Sequence, residues 1–224
     1  IADCSIREKY EDYVRELAKD GTLVGIGVMN AQITSAFEIM KIIKSVNPKV
    51  KFVWGGPHAT LYPKQTIENK DIDFIVIGEG EEPLYNLYLS IKNKTSYENI
   101  NGIGFKKNGQ VVINPAQPLI DVNKLTMLDY SLIDDEMLDL YRHNDTDTFF
   151  PVTTSRGCPH RCTFCINVVT KNRWRGKDSE KVVNELKEAD KNDRIKGIIL
   201  EINSPGGGAG ASYEIVQAIK KMRK

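Results

Sequence analysis

Cysteine is scarce in this sequence, with four cysteines among 224 residues, and this scarcity disfavours a disulfide framework. Long apolar runs are also missing, since no stretch approaches the ~18 apolar residues of a transmembrane helix. The N-terminal residues IADCSIREKY lack the basic flank and apolar stretch of a signal peptide. We therefore expect a cytoplasmic chain in reducing surroundings, without a membrane segment.

The net charge of +1 conceals a marked asymmetry along the chain. Residues 1–150 contain 16 Lys and Arg against 22 Asp and Glu, a net charge of −6, whereas residues 151–224 contain 15 against 8, a net charge of +7. Four basic residues stand together in the second part: Lys171, Arg173, Arg175 and Lys177. This basic cluster is either a solvated loop or a contact for an anion or nucleic acid. Because no aromatic stacking pattern accompanies it, we favour the solvated loop and expect no nucleic-acid partner.

Short apolar runs alternate with amphipathic segments over the first ninety residues. The pattern predicts strands over residues 23–29, 50–54 and 72–78, and helices over residues 33–46, 63–69 and 81–93. Apolar runs of this kind, buried on both faces and separated by helices, indicate a Rossmann-like parallel sheet in an α/β fold. Residues 3–21 resemble the end of an earlier strand and its helix, so we expect the chain to begin partway into its first domain.

Three distinctive loops follow the predicted strands at the carboxyl edge of the sheet, where ligands bind in such folds. Their sequences are MNA (29–31), GGPH (55–58) and GEGE (78–81). Glycine at a strand end lets a bulky ligand approach the backbone, because no Cβ intervenes. The alternative, that these glycines only form tight turns, remains open at this point.

The pattern changes after residue 99. Residues 100–125 alternate around Lys107-Asn108-Gly109 and predict a hairpin, which an irregular linker follows. A strand from residue 148 should end at the cysteines, with a helix over 179–191, a strand over 194–202, a glycine-rich turn and a closing helix after it. The predicted division is a first α/β domain (1–99), a hairpin and linker (100–147), a unit with the cysteines (148–187) and a further βα unit (188–224).

Three of the four cysteines lie within RGCPHRCTFC, residues 156–165. A structural zinc site needs four ligands; His160 could be the fourth, but it lies two residues from both Cys158 and Cys162, which strains a tetrahedron. A [4Fe–4S] cluster held by three thiolates would leave one iron open for another ligand. The remaining alternative is three reduced structural thiols, for which a polar, basic segment is a poor location.

The motif Cys158-x₃-Cys162-x₂-Cys165, with Phe164 before the last cysteine, resembles the signature of the radical S-adenosylmethionine (SAM) superfamily. The flanking sequences TTSRG and NRWRGKDSEKVVNEL are similar to that family as well. The stretches VWGGPHATLYP and IDFIVIGEGEEPLYNL resemble the cobalamin-binding domain that precedes the radical SAM barrel in many members. The resemblance covers about residues 1–187.

This resemblance implies a set of roles. Cys158, Cys162 and Cys165 would bind three irons of the cluster, SAM would occupy the open iron, and Phe164 would lie near its adenine. An electron donor and a small-molecule or other substrate are the implied partners, because reduction of SAM yields a 5′-deoxyadenosyl radical that abstracts hydrogen. Cobalamin, often a methyl carrier, would lie on Met29, Asn30, Gly55, Gly56, Gly78 and Glu79.

Two departures from the family pattern affect these expectations. The D-x-H-x-x-G motif that supplies an axial histidine to some cobalamin proteins is absent, and neither His58 nor His143 fits it. The radical SAM barrel normally needs about six βα units, and this chain holds the first. We therefore expect the chain alone to be inactive, and a plain cobalamin-binding module is an alternative function.

The final segment has a different resemblance. NDRIKGIILEINSPGGGAGA (192–211) is similar to the signal peptide peptidase (protease IV-like) serine protease family. This implies that Gly206 and Gly207 donate backbone N–H groups to an oxyanion hole, although the serine nucleophile and lysine base of that family have no counterpart here. The same turn also fits G-x-G-x-x-A, without the acidic residue expected about 20 positions later. A composite chain, joined near residues 187–192, is the hypothesis that accounts for both resemblances.

Overall fold

A computed structural model gives the structure of this chain. It describes residues 2–4, 9–126, 132, 142–143, 147–148, 152–160, 162–163, 165, 173–191, 213–214, 216–217 and 220–221.

A five-stranded mixed sheet forms the centre of the fold. Its strands, in spatial as well as chain order, are β1 (Leu23–Gly27), β2 (Lys51–Gly55), β3 (Phe74–Val76), β4 (Ile103–Lys107) and β5 (Gln110–Ile113). The first three strands are parallel, and β4 and β5 are antiparallel to their neighbours. The predicted α/β class with a Rossmann-like parallel sheet is confirmed.

Five helices accompany the sheet. They are α1 (Tyr10–Ala18), α2 (Ile33–Val46), α3 (Gly56–Leu61), α4 (Pro63–Glu68) and α5 (Glu81–Asn93), of which α2, α3 and α4 connect the parallel strands. The predicted bounds of α2 and α5 match the structure, because Ala36, Met40 and Ile43 recur at helical spacing and are buried. Sequence reasoning missed α3, whose proline lies in the first helical turn, where a missing N–H costs nothing.

Strand β2 is buried on both faces of the sheet. Phe52, Val53 and Trp54 are each at most 2% exposed. Phe52 and Trp54 pack under α1 and α2, while Val53 packs with the group around α5 and β4. Burial of each such side chain stabilises the fold by about 1.5–3 kcal/mol, so the sheet is held rigidly between two apolar layers.

The hairpin of β4 and β5 belongs to the same sheet. It turns at Asn108 and Gly109, both with positive φ (51° and 78°), the combination that a two-residue type I′ turn requires. Strand β4 pairs with β3 from Ile103 to Phe105. The predicted division separated residues 100–147 from the first domain; the structure instead shows that the hairpin covers the edge of β3, which would otherwise present unpaired backbone groups.

The described residues beyond the hairpin form smaller elements. Two short antiparallel pairs join β6 (Arg142–His143) to β7 (Asp147–Thr148) and β8 (Ser155–Arg156) to β9 (Arg175–Gly176), and α6 (Ser179–Asp190) follows. The helix predicted over 179–191 is confirmed, and the described residues of the closing helix are helical. Among the described residues of the strand predicted to lead into the cysteines, Thr148 belongs to β7, and Ser155 and Arg156 form β8, whose described partner is antiparallel. The strand predicted over 194–202 lies outside the described residues.

Candidate functional site

The loops after β1 and β2 are joined by a histidine. Nδ1 of His58 lies 2.9 Å from Oδ1 of Asn30, and because an amide oxygen only accepts, Nδ1 carries the proton. The imidazole is buried between Trp54 and Tyr62, with ring centroids 6.4 and 5.6 Å away. His58 therefore connects the loops after β1 and β2.

Thr60 joins the loops after β2 and β3. Its hydroxyl donates to the carbonyl of Gly56 and accepts from the amide of Gly78, both at 2.9 Å. Gly56 has a φ of +83°, and a Cβ there would lie 3.1 Å from the amide nitrogen of Val28. All three strand-end loops are thus held in one arrangement, in which glycine at position 56 is required.

Part of this edge is open. A Cβ added at Gly27 or at Gly78 would meet no atom of the described part of the chain within 4 Å, and Met29 is 54% exposed. A large flat ligand can therefore reach the backbone at two strand ends. The open backbone at Gly27 and Gly78 suits the approach of a bulky ligand such as cobalamin, whereas Gly56 is packed against Val28 and shapes the loop.

Glu79, at the same edge, is bound within the protein. Its carboxylate accepts from Nη1 and Nη2 of Arg175, at 2.9 and 2.5 Å, and from the amide of Ile120 at 2.9 Å. Nη1 of Arg156 lies 3.7 Å from the same carboxylate and 2.5 Å from that of Glu81. Glu79 is about 10% exposed, so its side chain is committed to these partners.

The electrostatics of this group favour ionised Glu79. Burial opposes the charged form, but hydrogen bonds from Arg175 and the Ile120 amide, with the charges of Arg175 and Arg156, hold the pKa of Glu79 below its ordinary value. The hydrogen bond to Glu79 in turn raises the pKa of Arg175. A fork-to-carboxylate pair of this kind is geometrically specific as well as strong.

The cysteines follow β8. None of Cys158, Cys162 and Cys165 is in a disulfide; Cys162 is exposed, and the other two are half-buried. The amide of Cys165 donates to the carbonyl of Cys162 at 3.1 Å. Three thiols in one short segment suit iron–sulfur ligation chemically. Within the residues that the structure describes, no group of three or more His, Cys, Asp or Glu side chains is arranged to hold a metal.

The structure brings together most of the predicted edge residues. Met29, Asn30, Gly55, Gly56, Gly78 and Glu79 all lie at the carboxyl edge of β1–β3, whereas Phe164, Gly206 and Gly207 lie outside the described residues. Sequence reasoning missed Thr60, Gly27 and Arg156, and it assigned Arg175 and Lys177 to a solvated loop. Both instead form ion pairs, with Glu79 and Glu185. The opposite net charges of residues 1–150 and 151–224 were the signal in the sequence that could have indicated ion pairs between the two parts.

Family models match two parts of the chain. The B12 binding domain matches residues 1–88. The Clp protease family matches residues 164–224, a region that includes the segment with peptidase-like sequence. In the described part of the chain, no helix has the length and apolar character needed to cross a membrane.

Two curated proteins are similar over most of this chain. An uncharacterized methyltransferase of Pyrococcus horikoshii is 35% identical over 181 residues, which cover 79% of this chain and 39% of that protein. The anaerobic magnesium-protoporphyrin IX monomethyl ester cyclase of Rubrivivax gelatinosus is 32% identical over 215 residues, 92% of this chain and 38% of the cyclase. The chain therefore spans about two fifths of the length of these relatives.

A solved structure shares the fold. It is that of the cobalamin-dependent S-adenosylmethionine radical enzyme OxsB with aqua-cobalamin and S-adenosylmethionine bound. The TM-score is 0.66 at 23% identity, over 83% of this chain and 26% of that one. At this identity the likeness concerns the fold.

Proposed function

We propose that this chain is a radical SAM protein with an N-terminal B12-binding domain. In this proposal it binds cobalamin over the carboxyl edge of β1–β3 and a [4Fe–4S] cluster with SAM beside it. One observation carries the proposal. Glu79 of the sheet edge binds Arg156 and Arg175, which flank the segment with the three cysteines. The two cofactor regions are therefore neighbours.

Each residue has a distinct task in this proposal. Cys158, Cys162 and Cys165 supply three thiolates to the cluster, and Phe164 contacts the adenine of SAM. The residues Met29, Asn30, Gly55, Gly56 and Gly78 would form the surface of the sheet edge on which cobalamin lies. Glu79 joins this edge to Arg156 and Arg175. When bound, the cluster and SAM supply radical chemistry, and cobalamin supplies a methyl carrier.

The activity of the whole protein follows the chemistry of these cofactors. We assign it to methyl transfer or radical hydrogen abstraction on a small-molecule substrate, with an external electron donor. Relatives with the names methyltransferase and cyclase support this class of reaction. The thiols, none of them in a disulfide, fit a reducing cytoplasm.

A second candidate concerns the C-terminal segment. The Clp protease match over 164–224 supports a peptidase-derived unit from residue 188, with Gly206 and Gly207 as oxyanion donors. Binding or assembly is the function that we propose for this unit.

Anaerobic reconstitution with iron and sulfide tests the main proposal. We expect the chain to take up about four irons and to turn brown, because three thiolates suffice to hold such a cluster. Cys162→Ala removes one ligand at an exposed position and should abolish the chromophore.

Cys4→Ala is the matched control, since Cys4 lies outside the motif. It should retain the iron and the visible spectrum of the unchanged chain. Equal iron content in Cys162→Ala, or equal loss in Cys4→Ala, would contradict the assignment.

A further inference from the structure

The segment that carries the three cysteines, residues 157–174, is closed at its base by a very short ladder. Strands β8 and β9 pair Ser155 with Gly176 and Arg156 with Arg175, and the amide of Lys177 donates to the carbonyl of Thr154 at 2.8 Å. We call this pairing the neck. A two-stranded ladder of this length is at best marginally stable in water by itself.

The neck contains an unfavourable pair of charges. Arg156 and Arg175 are direct cross-strand partners, and like charges placed directly opposite each other destabilise a ladder. Both guanidinium groups are largely withdrawn from water, with side chains 31% and 16% exposed. Solvent screening is therefore reduced, and the pairing needs an anion from another element.

Two carboxylates of the N-terminal domain supply that anion. Both carboxylate oxygens of Glu79 accept hydrogen bonds from Arg175, and the carboxylate lies 3.7 Å from Nη1 of Arg156. Glu81 pairs with Arg156 at 2.5 Å. The carbonyl of Ile120 accepts a further hydrogen bond from Arg175 at 2.7 Å, so the neck is fastened to the sheet edge through its arginines.

Glu79 is the central member of this group. It touches both arginines, it is the most buried of the four charged side chains, and it follows β3 directly. A carboxylate in that position holds two like charges together across the ladder and at the same time binds them to the loop after β3.

We propose that Glu79 is a positioning residue that closes the neck and fixes both ends of the cysteine segment against the strand-end loops. Its value for catalysis rests on the function proposed above, because the distance between the two cofactor regions would then depend on this carboxylate. Glu79 acts here through Arg156 and Arg175.

Hydrogen exchange on the full chain, without added iron or cobalamin, tests the inference. Glu79→Gln keeps the shape of the side chain and removes its charge. We expect amide exchange in peptides covering 152–158 and 173–178 to accelerate by about tenfold or more, because the variant leaves the mostly buried guanidinium of Arg175 without its counter-charge, opposite Arg156. Amides of β2 should remain as protected as before.

Glu82→Gln is the matched control, since Glu82 contacts Gln117 and neither arginine. It should leave exchange at the neck unchanged. In a double-mutant cycle, Glu79→Gln combined with Arg175→Gln should accelerate exchange by less than the product of the two single effects, because both remove the same contact.

Wild-type exchange at the neck of Glu79→Gln would overturn the inference, as would loss of protection in β2, which would show that Glu79 supports the sheet. The result is separate from the cofactor proposal. A chain that takes up no iron but shows the expected exchange pattern refutes the cofactor assignment and leaves the neck in place.

Discussion

Glu79 illustrates how the sequence can identify a residue without identifying the side chain that it pairs with. Its position after β3 identifies it as an edge residue, and sequence reasoning assigned it to cofactor contact. Arg175, its partner, stands 96 residues later. Asn30 is similar, since its amide oxygen accepts from His58 across 28 residues. Residue type and local position are local information, whereas such pairings arise only once strands are ordered in space.

The lowered pKa of Glu79 predicts a pH dependence of stability. A carboxyl whose pKa is lower in the folded chain stabilises it above the ordinary value of 4.5, and this contribution disappears as the pH falls through the folded pKa. The charges that face it are Arg175, Arg156 and Glu81. Wild type should therefore exceed Glu79→Gln in free energy of unfolding at about pH 7, and the difference should shrink toward about pH 3.5.

Urea unfolding followed by circular dichroism measures this difference at each pH. Glu82→Gln, which leaves the arginines paired, should show a much smaller difference at neutral pH. A gap between wild type and Glu79→Gln that is constant across the range would rule out Glu79 ionisation as its source.

At the scale of elements, α6 is held by a buried ion pair and by contacts with the segment that follows the first sheet. Nζ of Lys177 lies 2.7 and 2.8 Å from the carboxylate oxygens of Glu185, and both side chains are at most 8% exposed. The amide of Asp178 donates to Oδ1 of Asn123 at 2.8 Å, and Lys181 donates to the carbonyl of Asn123 at 2.7 Å. The segment after the first sheet therefore anchors the helix that follows the cysteines.

Glu185→Ala should destabilise the chain by about 3–5 kcal/mol, because it leaves the Lys177 ammonium buried without a counter-charge. Replacing both partners, Lys177→Met with Glu185→Leu, should cost far less, since no charge remains buried. Denaturant unfolding provides the comparison. Equal losses in the single and double variants would show that the pair contributes packing alone.

The elements that the sequence predicts best are those in which apolar residues recur with a clear period. Helix α2 matches its predicted bounds because its apolar residues repeat along one face. Helix α3 was missed, since Gly-Gly-Pro indicates a turn as readily as a helix start. Residues 152–154, which lie in the strand predicted before the cysteines, are outside any strand, because an apolar and β-branched stretch specifies extended backbone without specifying a partner.

At the scale of the whole molecule, the charge asymmetry of the sequence becomes an internal contact. The acidic first part and the basic second part meet where Glu79 and Glu81 bind Arg175 and Arg156. The composition predicted one acidic and one basic region, but it could not predict that side chains of the two regions form ion pairs with each other. The hairpin is a comparable case: its turn was predicted from Asn108-Gly109, while its place in the first sheet depends on the exposed edge of β3.

The proposed cobalamin site depends on the assembled edge, because three strand-end loops must present one open surface. Gly27 permits a direct test, since its backbone is ordinary extended strand and an added Cβ meets no described atom within 4 Å. Gly27→Leu should preserve the circular dichroism and unfolding of the chain, yet it places a side chain where the ligand would lie. Equilibrium dialysis should show that wild type binds hydroxocobalamin and that Gly27→Leu binds it about tenfold or more weakly, as expected for a bulky obstruction in a preformed site.

Leu17→Ala, a change at an exposed position on α1, is the control and should bind hydroxocobalamin like wild type. Equal retention by Gly27→Leu would move the ligand away from this edge, and no retention by wild type would show that the strand-end glycines serve only the turns.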